Sequence, residues 1–197
     1  LNTHPEINCF PSLAKGKTGI AEGHIFDMLG SIKDDQGVKA KDFFSSKHNG
    51  FFSDLVPKIN TVDSDTLHKL FSDRYSEWLN LHRTKRLVGD KTVEYVFHLD
   101  IIDQMFPDVK KICILRDPKD RIVSYHFHQL RKKQKSQESI TTEFIDGYIS
   151  QIKNEYDSIL EYPGNICCIT YEDLQTKPTE AIKKMLNYLG AEEADYI

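Results

Sequence analysis

The sequence predicts an α/β fold, a parallel sheet flanked by helices, in one domain spanning residues 1–197. Three observations carry that expectation. Four segments repeat one order, a short apolar run, a polar turn and a helical period, which is the pattern of βα units. The turns after these runs hold residues suited to an anion, and ligands in such sheets sit beyond the carboxyl ends of the strands. The chain has 197 residues, 39% hydrophobic and 28% charged, enough to build a real core.

The elements follow in order. Ile7 to Phe10 reads as a strand leading to a helix over Ala21 to Ile32. A largely helical insertion occupies about 34–86, and in it Leu67, Leu70, Phe71, Tyr75, Trp78 and Leu79 recur at helical spacing. Such an aromatic stripe is read as core. Arg86-Leu87-Val88 is a second strand, followed by a helix from Thr92 to Met105. Ile112 to Leu115 is a third, followed by a helix from Pro118 to Lys132. There, Val123, Phe127 and Leu130 form an apolar stripe that can face the sheet. A long helix over Thr142 to Glu161 carries Phe144, Ile145, Tyr148, Ile149, Ile152, Tyr156 and Ile159 on one side. Ile166 to Thr170 is the fourth strand, and the helix from Tyr171 to Leu189 is broken at Pro178.

Net charge is −4, which excludes a general attraction to nucleic acid. The basic run Arg131 to Lys135 suits either a local anion site or a solvated helix end. Cys9, Cys113, Cys167 and Cys168 contain no C-x-x-C pair, so they read as free thiols in a reducing compartment rather than as a zinc cage. No apolar stretch approaches ~18 residues, and no signal peptide is visible, which favours a cytoplasmic protein. The chain starts without Met and reads as part of a longer protein.

The richest segment is Arg116-Asp117-Pro118-Lys119-Asp120-Arg121-Ile122-Val123-Ser124. Asp117 can cap a helix, and Pro118 suits its first turn. Arg121, Ser124 and His128 line up at spacings of three and four. A strand-end guanidinium, a helix N-terminus and a hydroxyl together suit a phosphate. The competing reading pairs Arg116 with Asp120 or another acid and leaves the turn purely structural.

Here the sequence resembles a known family. The segment Ile112 to Ser124 is similar to the 3′-phosphate-binding element of sulfotransferases that use 3′-phosphoadenosine 5′-phosphosulfate (PAPS). The resemblance implies that Arg116 and Ser124 hold the 3′-phosphate, and Arg121 is expected to bind the cofactor as well. Gly89-Asp90-Lys91-Thr92, followed by Tyr95, resembles the Gly-(acid)-Lys-(Thr/Ser)-Pro-x-Tyr turn of carbohydrate and bacterial sulfotransferases, with Val93 in place of the usual Pro. Thr170-Tyr171-Glu172-Asp173-Leu174, Pro178 and Leu186 to Gly190 resemble a largely structural region of the family. His4-Pro5-Glu6-Ile7, leading to Gly23-His24-Ile25-Phe26, extends the likeness to the start of the chain.

The implied fold is P-loop NTPase-like, and the implied activity is transfer of a sulfuryl group from PAPS to a hydroxyl or amine acceptor. Glu22 is the expected base, as carbohydrate sulfotransferases use a Glu in the corresponding stretch, and His24 is the competitor. Lys91 is expected to offset developing charge on the transferred group. The chemistry needs no metal. The expected partner is a small-molecule or carbohydrate acceptor. The family's Pro-(Lys/Arg)-Ser-Gly-Thr loop for the 5′-phosphosulfate has no match here, and the resemblance places it upstream of Leu1. Two alternatives come from other classes: a small-molecule kinase of P-loop type, and a non-catalytic nucleotide-binding module.

Overall fold

The structure is a computed structural model and describes residues 5–9, 55, 57, 61–81, 83, 85–132 and 141–192. The expected helix over Ala21 to Ile32 and most of the basic run lie outside these residues. So do Glu22 and His24. The chain forms two compact units, divided between Val109 and Lys110.

In the first unit β1 (Ile7–Cys9) pairs in parallel with β2 (Leu87–Gly89), with Ile7 opposite Leu87 and Cys9 opposite Gly89. Ile7 is buried. At the strand starts Arg86 grips Glu6 through two bonds of 2.9 and 3.0 Å. Helix α1 (Ser64–Leu81) lies in the expected insertion. Asp63 starts it by accepting from the Thr66 amide at 2.8 Å and the Thr66 hydroxyl at 2.7 Å. Leu67, Phe71 and Tyr75, spaced by four, are the buried face of α1, as the periodicity implies.

After β2 the expected helix from Thr92 to Met105 divides. Val93–Phe97 forms a 3-10 turn, and α2 (Leu99–Met105) follows. His98 interrupts the two with φ −130° and ψ 23°. A run holding two valines and two aromatics favours helix weakly. Within it the Tyr95 phenol is drawn back to Asp90 at 2.5 Å. Helix α2 then buries Leu99, Ile101, Ile102 and Met105.

In the second unit β3 (Lys111–Leu115) pairs in parallel with β4 (Ile166–Thr170), in a register running from Lys111 opposite Ile166 to Leu115 opposite Thr170. Four helices accompany the pair: α3 (Pro118–Lys132), α4 (Thr142–Leu160), α5 (Tyr171–Thr176) and α6 (Pro178–Leu189). Pro178 sits in the first turn of α6, where its missing N–H costs nothing. Cys167 and Ile169, alternate residues of β4, pack with Ala181 and Met185 of α6. Gly190 closes α6 at φ 68°, and the Ala191 amide reaches back to the Leu186 carbonyl at 2.9 Å.

Two expected apolar stripes are corrected. Val123 and Phe127 of α3 are 46% and 57% exposed, while Leu130 and His126 are buried. The α3–α4 contact instead uses Tyr125, whose ring stacks on Tyr148 at 4.3 Å, and His126, which meets Phe144 edge-on at 5.5 Å. That contact turns Val123 and Phe127 outward. On α4, Ile149 is 47% exposed, and Tyr148, Ile152 and Glu155 are the buried positions. Cys113, Cys167 and Cys168 are free thiols. Among the described residues no helix is long and apolar enough to cross a membrane.

Candidate functional site

The turn after β3 is built by strand register. Leu115 and Thr170 are the last paired residues of β3 and β4, so Arg116 and Tyr171 leave the sheet side by side. The Arg116 guanidinium lies over the Tyr171 ring, 4.6 Å from its centroid. The Tyr156 hydroxyl of α4 donates to the Arg116 carbonyl at 2.7 Å. Burial pushes the Tyr156 phenol above its ordinary pKa. The next amide, that of Asp117, donates to Glu172 at 3.0 Å. Asp117 in turn accepts from the amides of Lys119 at 2.8 Å and Asp120 at 3.4 Å, so it caps α3 as its sequence position implies.

Arg116 Nε is buried and has no hydrogen-bond partner among the described residues. A buried polar group left unpaired costs roughly 1–3 kcal/mol, so such an atom calls for an explanation. Among the described residues no carboxylate pairs with Arg116, and Asp120 stands exposed instead. The reading in which Arg116 merely pins the turn through Asp120 is therefore not what the structure forms. Ser124, in the second turn of α3, is half-buried, and its hydroxyl bonds to none of the described residues.

Arg121 differs. Its guanidinium pairs with Glu155 of α4, with the two side chains 20% and 6% exposed. Gln151 donates to the other Glu155 oxygen at 3.0 Å, and the Tyr148 ring lies 5.8 Å away. Burial opposes the Arg121 charge, but the Glu155 carboxylate outweighs it and raises the guanidinium pKa. Arg121 thus ties α3 to α4 beneath the turn.

Lys91 stands in the first unit, in the turn after β2, and is exposed. Its amide donates to Asp90 Oδ1 at 2.7 Å. Asp90 Oδ2 accepts from the Tyr75 hydroxyl at 3.2 Å and from the Tyr95 hydroxyl at 2.5 Å. Burial and the Asp90 charge lift the Tyr75 phenol well above its usual pKa. One carboxylate therefore fixes the backbone that carries Lys91.

A model of the sulfotransferase family matches residues 1–195. The chain belongs to the sulfotransferase family. Two solved structures share the fold. A sulfotransferase from Alicyclobacillus acidocaldarius aligns with a TM-score of 0.57 at 19% identity, over 97% of this chain and 73% of that one. The sulfotransferase domain from the curacin biosynthetic pathway aligns with a TM-score of 0.50 at 16% identity, over 97% of this chain and 76% of that one. No curated protein matches the chain by sequence.

In this sulfotransferase, sequence reasoning singled out Arg116 and Ser124 but missed what surrounds them. Tyr156, Tyr171 and Glu172 converge on the Arg116 turn, and Glu155 neutralises Arg121. The available signal was positional: Arg116 and Tyr171 each stand one residue past a strand of the same length and character.

Proposed function

We propose that this sulfotransferase takes its sulfuryl group from PAPS and delivers it to a hydroxyl or amine of a small-molecule or carbohydrate acceptor. The observation that supports this reading is the buried, unpartnered Nε of Arg116 at the N-terminus of a 15-residue helix. A planar guanidinium binds phosphate oxygens in its own plane, and the helix dipole adds to the attraction. Arg116 and Ser124 would hold the 3′-phosphate of the nucleotide, and Arg121 would keep α3 in place through Glu155.

In the transfer, the acceptor oxygen or nitrogen forms a bond to sulfur as the bond from sulfur to the 5′-phosphate oxygen breaks. Adenosine 3′,5′-bisphosphate leaves with the electron pair of that bond. Glu22 takes the acceptor proton, with His24 as the competing base. Lys91, on its Asp90-braced turn, offsets negative charge at the reacting group.

The reading is tested by two substitutions in the full-length protein. Arg116→Ala removes a charge-assisted bond of ~1.5–3 kcal/mol, so binding of adenosine 3′,5′-bisphosphate should weaken about tenfold to a hundredfold by calorimetry. Glu22→Gln should abolish most turnover and leave that binding intact. Unchanged affinity in Arg116→Ala would sink the donor assignment. Surviving turnover in Glu22→Gln would move the base to His24 or another group.

A further inference from the structure

We infer that Cys113 and Cys168 are a reversible modification site, a pair of thiols that an oxidant converts to a disulfide joining β3 to β4. The two residues stand directly opposite each other in the parallel register. Side chains alternate between the faces of a strand, and residues opposite each other share a face. Neighbouring strands lie ~4.8 Å apart, and disulfides span Cα separations of roughly 4.4–6.8 Å. Strand pairing by itself therefore brings these two cysteines within bonding range. Both are free thiols and only half-buried, so neither is sealed in the core.

The other thiols are placed differently. Cys167 neighbours Cys168 in β4 and so points to the opposite face, where it is buried with Ile169, Ala181 and Met185. Cys9 belongs to β1 in the first unit. The charged groups beside the pair are Arg121 of α3, Glu155 of α4 and Lys184 of α6. Burial raises both thiol pKa values, that of Cys113 to about 11, and Lys184 opposes the rise at Cys168. Cys168 is therefore the attacking sulfur. Its thiolate attacks glutathione disulfide, forming a mixed disulfide and expelling one glutathione thiolate. The Cys113 thiolate then attacks the Cys168 sulfur and expels the second. The two cysteines lose two electrons, and glutathione disulfide gains them as two glutathiones, which take up the two thiol protons. Scarce thiolate makes this exchange slow at neutral pH and faster as pH rises. Register, not reactivity, selects the pair.

The experiment incubates the folded, full-length protein with glutathione disulfide at mildly alkaline pH. Remaining thiols are then alkylated, and the protein is digested without reduction for mass spectrometry. The expected product is two hydrogens lighter than the reduced protein, carries a Cys113–Cys168 link and returns to the thiol form with dithiothreitol. Cys168→Ala should abolish the link, and Cys167→Ala should leave its yield unchanged. Where Cys168→Ala does not fold, Cys168→Ser replaces it. The same incubation in urea should spread the linkage over other cysteine pairs, because the register is gone. A Cys113–Cys167 link, a Cys167–Cys168 bond, or mixed disulfides with no bond between Cys113 and Cys168 would overturn the pairing. So would a protein that stays fully reduced, or a Cys113–Cys168 yield in urea equal to that in the folded protein.

Discussion

At the residue scale the account turns on which charged groups are already satisfied. Arg116 and Arg121 are five positions apart, yet one has a buried Nε without a partner and the other is paired with a buried carboxylate. Sequence spacing placed both near a phosphate; it could not show that α4 presents Glu155 to one of them. Residue environment also sets the alkaline behaviour. Burial lifts the Cys113 thiol from an ordinary 9.0 to about 11, helped by the neighbouring Cys168 and Glu155 and opposed by Arg121. A thiol is neutral when protonated, so the folded chain holds this proton to higher pH than the unfolded chain. The resulting stability is complete below pH 9.0 and is lost as pH rises through about 11. Tyr75 and Tyr148 have raised pKa values as well, so the contribution is read as a difference. The urea midpoint of Cys113→Ala should fall less than that of the wild type between pH 9.0 and about 11. Equal losses in the two proteins would contradict the assignment.

At the element scale most of the second unit was legible from local signals. Asp117-Pro118 starts α3 where a cap and a first-turn proline predict, and Pro178 divides α5 from α6. Gly190 ends α6 in the left-handed region at φ 68°, where a side chain adds strain. Gly190→Ala should therefore destabilise the fold by roughly 1–2 kcal/mol, read as a lower denaturation midpoint with an unchanged denaturant slope. No change in midpoint would show that the cap relaxes freely. The elements that were misread differ in cause. The 3-10 turn before His98 carries a local bond, Tyr95 to Asp90, while the outward turn of Val123 and Phe127 accompanies a contact made farther along the chain, the Tyr125–Tyr148 stack. Helical periodicity identifies an apolar face but not the element it meets. The Arg116–Tyr171 stack was illegible for a related reason, since it follows from how β3 and β4 align in register.

At the scale of the whole molecule, family membership covers nearly all of the chain, while the solved relatives share its fold at low identity. Arg116 and Ser124 lie in the second unit, and the Lys91 turn with its Asp90 brace lies in the first. Tyr75 links α1, in the insertion, to the Lys91 turn through Asp90. The donor is the claim on which the rest depends. Titrating the full-length protein with adenosine 3′,5′-bisphosphate and with ATP tests it most directly. The account predicts saturable binding of the bisphosphate, tighter than that of ATP and weakened about tenfold to a hundredfold in Arg116→Ala. Tight binding of ATP with no binding of the bisphosphate would contradict it and place the chain's chemistry with phosphoryl transfer.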